Sequence, residues 1–144
     1  MPCKLVHNGY VIQTSALVNS GVNGFVFVDT RFAQELMKFL NLTPTRLSSP
    51  YAVKGYDGRP GKPVTQILTL HLEVDGRRQK DIPMLILDLG SHDVILGRKW
   101  FTQFDIWLDV RNQRLLWPRD NHIEPTFARE ICAPRENLRI TAIL

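Results

Sequence analysis

Three adjacent residues, Asn19-Ser20-Gly21, carry the most pointed chemical content of this 144-residue chain. An apolar run, Ala16-Leu17-Val18, enters the turn, and a second, Phe25-Val26-Phe27-Val28, leaves it after Gly24. A polar turn sunk between two strand-like runs is costly to bury without hydrogen bonds, so it is either a site or a well-satisfied corner. Its amide and hydroxyl donate and accept hydrogen bonds, but neither titrates in the range of acid–base catalysis. Other reactive residue types fail on geometry. Ser91, His92 and Asp93 are the types of a nucleophile relay, yet neighbours along an extended chain point in opposite directions. No Gly-x-Ser-x-Gly elbow occurs. The histidines at 7, 71, 92 and 122 are scattered, and no His/Cys spacing suits zinc, so neither a metal nor a cofactor is expected. The glycine-rich stretch around Asp57-Gly58 lacks the Gly-Lys-Ser/Thr of a phosphate loop.

The elements that must position the turn are readable from period and punctuation. Asn8-Gly9 is a hairpin signal, so a short strand from Leu5, a turn and a strand into Asn19 are expected. Val22 to Val28 is rich in Val and Phe and reads as a buried strand. Asp29 or Thr30 then caps a helix with Phe32, Leu36, Phe39 and Leu40 at helical spacing, stopped by Asn41 and Pro44. Thr43 to Pro50 reads as a loop. Lys54 to Pro63 reads as a glycine-rich hairpin around Asp57-Gly58.

From Gln66 to Val74 the alternation is clean, with Leu68, Leu70, Leu72 and Val74 on one face. Asp75-Gly76 turns the chain, and Arg77, Arg78 and Lys80 are expected on solvent. Ile82 to Leu87 is nearly all apolar and reads as a strand buried on both faces. Val94-Ile95-Leu96 is a strand ending at Gly97, and Lys99 to Gln103 begins a short helix. Ile106–Val110 and Leu115–Trp117 flank a last hairpin. Trp100, Trp107 and Trp117 read as core rather than base-stacking platforms. The sequence shows no internal repeat.

Length and a hydrophobic content of 44% suit one domain, residues 1–117, with 118–144 as a C-terminal tail or linker. No apolar run reaches the ~20 residues of a membrane span, so no membrane partner is expected. The first residues lack a long apolar segment, and Cys3 and Cys132 read as free thiols, so an intracellular (cytoplasmic) location is expected. A net charge of +4 is spread along the chain rather than clustered, so no specific nucleic-acid partner is expected.

Three pieces then fall in order: Asn19-Ser20-Gly21, the hairpin at 54–63, and Ile95-Leu96-Gly97-Arg98-Lys99-Trp100. Together they resemble the retropepsin-like aspartic peptidase domain of Ty3/gypsy-type retrotransposon polyproteins. That family shows an Asp-Ser/Thr-Gly loop and a later hydrophobic-hydrophobic-Gly-x-x-Trp stretch. The resemblance implies an all-β acid-protease half-barrel protomer with one or two short helices, and a homodimer whose two loops complete one site. It implies a peptide or polyprotein substrate. It places Asn19 at the catalytic aspartate, Ser20 at the hydroxyl that bonds across the dimer axis, and Gly21 where the backbone approaches closely. Asn23 and the flap residues Lys54, Gly55, Tyr56, Asp57 and Gly58 fall at substrate-binding positions. Ile95, Leu96 and Gly97 pack behind the loop.

A carboxamide at position 19 cannot take a proton from water or polarise a peptide carbonyl as a carboxylic acid does. The expectation is an aspartic endopeptidase domain that is inactive as written. Asn19 fits an engineered block, decay of a degenerate copy, or reuse of the fold as a peptide-binding or dimerisation module.

Overall fold

The computed structural model describes residues 1–52 and 62–118. Among these residues nine strands and two short helices run in the order β1 (Pro2–His7), β2 (Tyr10–Val18), β3 (Val26–Asp29), α1 (Thr30–Leu40), β4 (Thr45–Tyr51), β5 (Val64–Val74), β6 (Arg77–Leu87), β7 (Val94–Leu96), α2 (Arg98–Phe104), β8 (Trp107–Asp109) and β9 (Arg114–Leu116).

Turn chemistry sets the two long hairpins. Asn8 and Gly9 lie at φ 48° and 83°, and Asp75 and Gly76 at 52° and 74°. A two-residue turn with both central residues in the left-handed region matches the twist of its flanking strands, and Asn-Gly and Asp-Gly reach that region cheaply. Register follows, pairing His7 with Tyr10 and Val74 with Arg77. In β5 the alternation puts Leu68, Leu70, Leu72 and Val74 inside.

The sheet has the order β1-β2-β7-β3-β6-β5-β4, and β1 also pairs with β5. That extra pairing, Leu5 opposite Leu72, closes the first six strands into a barrel, with β4 attached outside the ring to β5. Closure removes most sheet edges. Leu5, Val28, Leu68, Leu72, Ile82, Met84 and Leu96 fill the interior. Helix α1 is capped by Asp29, whose side chain accepts from Arg31 N and Phe32 N, and it ends at left-handed Asn41. Ala33, Leu36 and Leu40 face the core.

Trp100 of α2 is fully buried, and its indole N–H donates to Gln79 Oε1 at 2.8 Å. A buried indole left without that acceptor costs about 1–3 kcal/mol, so this bond fixes α2 on β6. Burial pushes the Cys3 thiol up to about 12, opposed in part by the nearby N-terminal ammonium, and it is a free thiol.

Several expectations need correction. Segment 22–25 is loop, and the strand starts only at Val26, because the carbonyls of Val22, Gly24 and Phe25 bond to the start of α2. Residues 45–50, expected as loop, belong to β4, an irregular strand whose pairing with β5 shifts between Arg46 and Tyr51. Residues 82–87 are not buried on both faces: Ile82 and Met84 are buried, while Leu85, Ile86 and Leu87 are half-buried. Trp107 is not core but 71% exposed. Arg77 is not simply solvated. It is half-buried, with its guanidinium 4.7 Å from the Trp117 ring centroid. The short helix opens at Arg98. The expected hairpin residues Lys54–Gly58 and the tail beyond Pro118 lie outside the described residues.

One feature of the topology has no counterpart in the residue string. The stretch β1-β2-loop-β3-α1 and the stretch β5-β6-loop-β7-α2 are folded alike. Strand β2 runs parallel to β7, and β3 parallel to β6, while β3 and β7 are antiparallel to each other. Exchanging the two stretches leaves every one of these pairings unchanged.

Candidate active site

Asn19 leaves the end of β2 where Val18 pairs with Leu96, and its N–H donates to Leu96 O at 3.0 Å. The chain then reverses. Val22 N donates to Asn19 O at 3.2 Å, and Gly21 N donates to Asn19 Oδ1 at 2.9 Å. This side-chain bond is an Asx turn, which lets a short polar side chain mimic a backbone turn. It holds the amide over the Ser20 peptide. Asn19 is half-buried, whereas Ser20, Gly21 and Asn23 are exposed.

The far side of the loop rests on the start of α2. Gly97 N donates to Phe25 O at 2.8 Å, Arg98 N to Val22 O at 2.8 Å, and Lys99 N to Gly24 O at 2.9 Å. The first N–H groups of a helix have no partner within it, and here the loop's carbonyls supply one. Gly97 makes the approach possible: a Cβ there would lie 2.4 Å from Gly24 O and 3.1 Å from Val22 O. Phe27 packs its ring against Gly24, where a Cβ would meet it at 2.1 Å. The second glycine of the loop, visible in the sequence, is therefore a packing contact.

The structure thus brings Asn19, Ser20 and Gly21 together with Ile95 and Leu96 of β7 and with Gly97 at the cap of α2. Asn23 lies on the same loop. The flap candidates 54–58 lie outside the described residues. Their described flanks are adjacent, since Tyr51 pairs with Val64. Sequence reasoning missed the donors Arg98 N and Lys99 N, because main-chain donors carry no residue signature. It also missed Asp29 Oδ1, which accepts from Leu89 N at 2.9 Å, and Asp93, which accepts from Thr14 Oγ1 at 2.6 Å. These two bonds fix the loop between β6 and β7. Ser91 and His92 on that loop are exposed, and Asp93 is bonded to Thr14 rather than to His92. Among the described residues no group of three or more His, Cys, Asp or Glu could hold a metal ion.

Chemically, the loop presents an amide, a hydroxyl and a rigid backbone, with no carboxylate of its own. A closed barrel with two short helices is the arrangement of a retroviral-protease-like fold. The solved retroviral protease-like domain of Ddi1 from Leishmania major superposes with a TM-score of 0.55 at 16% identity, covering 82% of this chain and 86% of that one. That likeness shows the fold. No curated protein matches the sequence. The model of the PEG10/RTL1 protease domain matches residues 15–137, and the chain belongs to that retropepsin-like family.

Proposed function

We propose that this chain is an aspartic endopeptidase domain of the polyprotein-processing type in which Asn19 occupies the place of the catalytic aspartate. It is therefore inactive as written. The observation that carries this reading is the position of the Asn19 amide. It sits at the exit of β2, in a loop braced from behind by Leu96 O, Arg98 N and Lys99 N, with Ser20 exposed beside it. Family membership supplies the reaction class, peptide-bond hydrolysis by water between two carboxyl groups. Aspartic proteases work because two close carboxyl groups share a proton: like charges at that range cannot both ionise, so their titrations split. Two amides share none.

One chain carries one such loop, so the complete site needs a second copy. The hairpin β8–β9 offers surface for it. Trp107 and its cross-strand partner Leu116 are 71% and 41% exposed, and Val110 at the turn is 75% exposed. Peptide substrate, the contributions of Asn23 and residues 54–58 to binding it, and the division of the chain near 117 belong to the same proposal. Among the described residues Trp117, packed edge-on against Trp100, is the last side chain to join the core.

Asn19→Asp tests the reading. The substitution should gain cleavage of an unstructured peptide at mildly acidic pH, blocked by a statine-type inhibitor. General acid–base catalysis is worth ~10²–10⁴-fold, so the gain should be at least that large over the unmodified chain. An Asn19→Asp protein that dimerises, binds peptide and still fails to cleave would overturn the proposal.

A further inference from the structure

The Asn19-Ser20-Gly21 corner has a second chemistry, which rests on the reading of position 19 given above. We propose that Asn19 is a deamidation site, and that its conversion to aspartate arms the peptidase.

The reaction needs no enzyme and no cofactor. The backbone nitrogen of Ser20 attacks Cγ of Asn19. A bond forms between that nitrogen and Cγ, the Cγ–Nδ2 bond breaks, and ammonia leaves with the proton that the Ser20 nitrogen gives up. The resulting cyclic imide then consumes one water. Opening at the Cγ–N bond gives aspartate in the normal chain, and opening at the main-chain carbonyl gives isoaspartate. No electrons are transferred.

The geometry favours the first step. Gly21 N–H points at Asn19 Oδ1 from 2.9 Å. As Ser20 N adds to Cγ, negative charge grows on that same oxygen, and a donor already aimed at it stabilises the intermediate as an oxyanion hole does. The Asx turn holds the Asn19 amide against its own backbone, with Oδ1 on the N–H two residues on. Among the described residues the Ser20 N–H has no hydrogen-bond acceptor, so no bond must break to free it. Ser20 is exposed, which gives water access to the imide. The product carboxylate is a better acceptor for Gly21 N–H than the amide it replaces.

An internal reference exists. Asn8-Gly9 and Asn23-Gly24 are intrinsically the more labile pairs, because glycine puts no side chain beside the attacking nitrogen, but at the second that nitrogen, Gly24 N, already donates to Val22 O at 3.0 Å. In the folded chain, however, Asn8 is held at φ 48° between the paired residues His7 and Tyr10. Ring closure there must first rotate the hairpin turn out of its left-handed conformation.

The test is to age the full chain at mildly alkaline pH, folded and in urea, and to follow Asn8, Asn19 and Asn23 separately by peptide-mass mapping with isoaspartate detection. In the folded protein Asn19 should convert ahead of Asn8, and in urea the order should reverse. Ser20→Pro, which removes the attacking N–H, should stop conversion at position 19. Should that variant not fold, Asn19→Gln serves, since its longer side chain closes the ring far more slowly. Inhibitor-sensitive peptide cleavage should rise with the square of the fraction converted to normally linked aspartate, since a complete site takes one from each of two copies. Asn19 left intact in the folded chain after Asn8 has converted overturns the proposal, even where Asn19→Asp cleaves peptide. Conversion at Asn19 with no cleavage by either the aged chain or Asn19→Asp instead overturns the peptidase reading and the arming step, leaving only the modification.

Discussion

The two similarly folded stretches of the barrel differ most at one residue, the N-cap of the helix that ends each. In the first, Asp29 caps α1 with its own carboxylate and reaches Leu89 N of the opposite loop with its other oxygen. In the second, Gly97 caps α2 with no side chain at all. The main-chain bonds around the caps are equivalent: Asp29 N donates to Asp93 O, and Gly97 N donates to Phe25 O. What changes is how the loop is held. Against Asp29 the loop is held by a side-chain oxygen as well, which accepts from Leu89 N. Against Gly97 the Asn19 loop descends until its carbonyls bond Arg98 N and Lys99 N directly. A catalytic group needs the second kind of support. Main-chain bonds at close range fix position more firmly than a rotatable side chain does. The loop that faces the glycine cap, that of the first stretch, is therefore the one that carries the candidate site.

The largest break in this comparison comes from giving the second stretch a side chain. Gly97→Ala places a methyl 2.4 Å from Gly24 O and 2.9 Å from Gly24 C, both main-chain atoms that cannot rotate away. The loop must lift, weakening the bonds from Arg98 N and Lys99 N. Overpacking and weakened hydrogen bonds together should cost about 3 kcal/mol, read as a lowered urea midpoint. In an Asn19→Asp background the same change should abolish cleavage even where the chain remains folded.

The opposite edit sharpens the comparison. Asp29→Ala removes the side-chain cap of α1 and the bond to Leu89 N. It leaves the main-chain bond from residue 29 to Asp93 O in place. Loss of a cap costs about 1 kcal/mol, so the midpoint should fall less than for Gly97→Ala, and cleavage in the Asn19→Asp background should survive. Equal losses for the two variants would mean that both loops are held alike.

Much of this was legible because local rules and the fold agree. Asn8-Gly9 and Asp75-Gly76 can hardly be anything but tight turns, and the leucines from 68 to 72 point one way in any strand. Asn19-Ser20-Gly21 announced itself as a polar corner between apolar runs. Val22 to Phe25 misled because Val and Phe favour strands, while the deciding bonds come from α2, some 75 residues later in the chain. Strand β4 was hidden by Ser48, Ser49 and Pro50, which give no alternation and lie where its pairing with β5 is irregular. Trp107 is exposed because a two-stranded hairpin has one face with nothing behind it, a fact of topology rather than of residue type. The similarity of the two stretches was invisible for the same reason. It resides in pairings and left-handed turns that Asn8 and Asp75, or Asn41 and Asp105, satisfy with different residues.

The smallest effect concerns the hairpins, where the two stretches differ by a bulge. Strands β1 and β2 pair without interruption, while β5 and β6 shift register between Leu70 and Leu72. Asp81, at φ 52°, sits opposite that shift, and its N–H donates to His71 Nδ1 at 3.0 Å. An accepting Nδ1 requires a neutral ring. Burial holds the His71 pKa below its ordinary 6.5, the Asp81 carboxylate opposes this, and Arg78, Lys80 and His7 add to it. With the folded value lowered, the unfolded chain binds more protons just below pH 6.5, so stability is present above that pH and is lost as pH falls toward the folded value. Protonation also removes the acceptor from Asp81 N–H. His71→Gln keeps a side-chain acceptor that does not titrate. Urea midpoints measured above pH 6.5 and one to two units below it should therefore fall less for His71→Gln than for the parent chain. Parallel losses in the two proteins would show that the bulge of the second hairpin does not depend on a neutral His71.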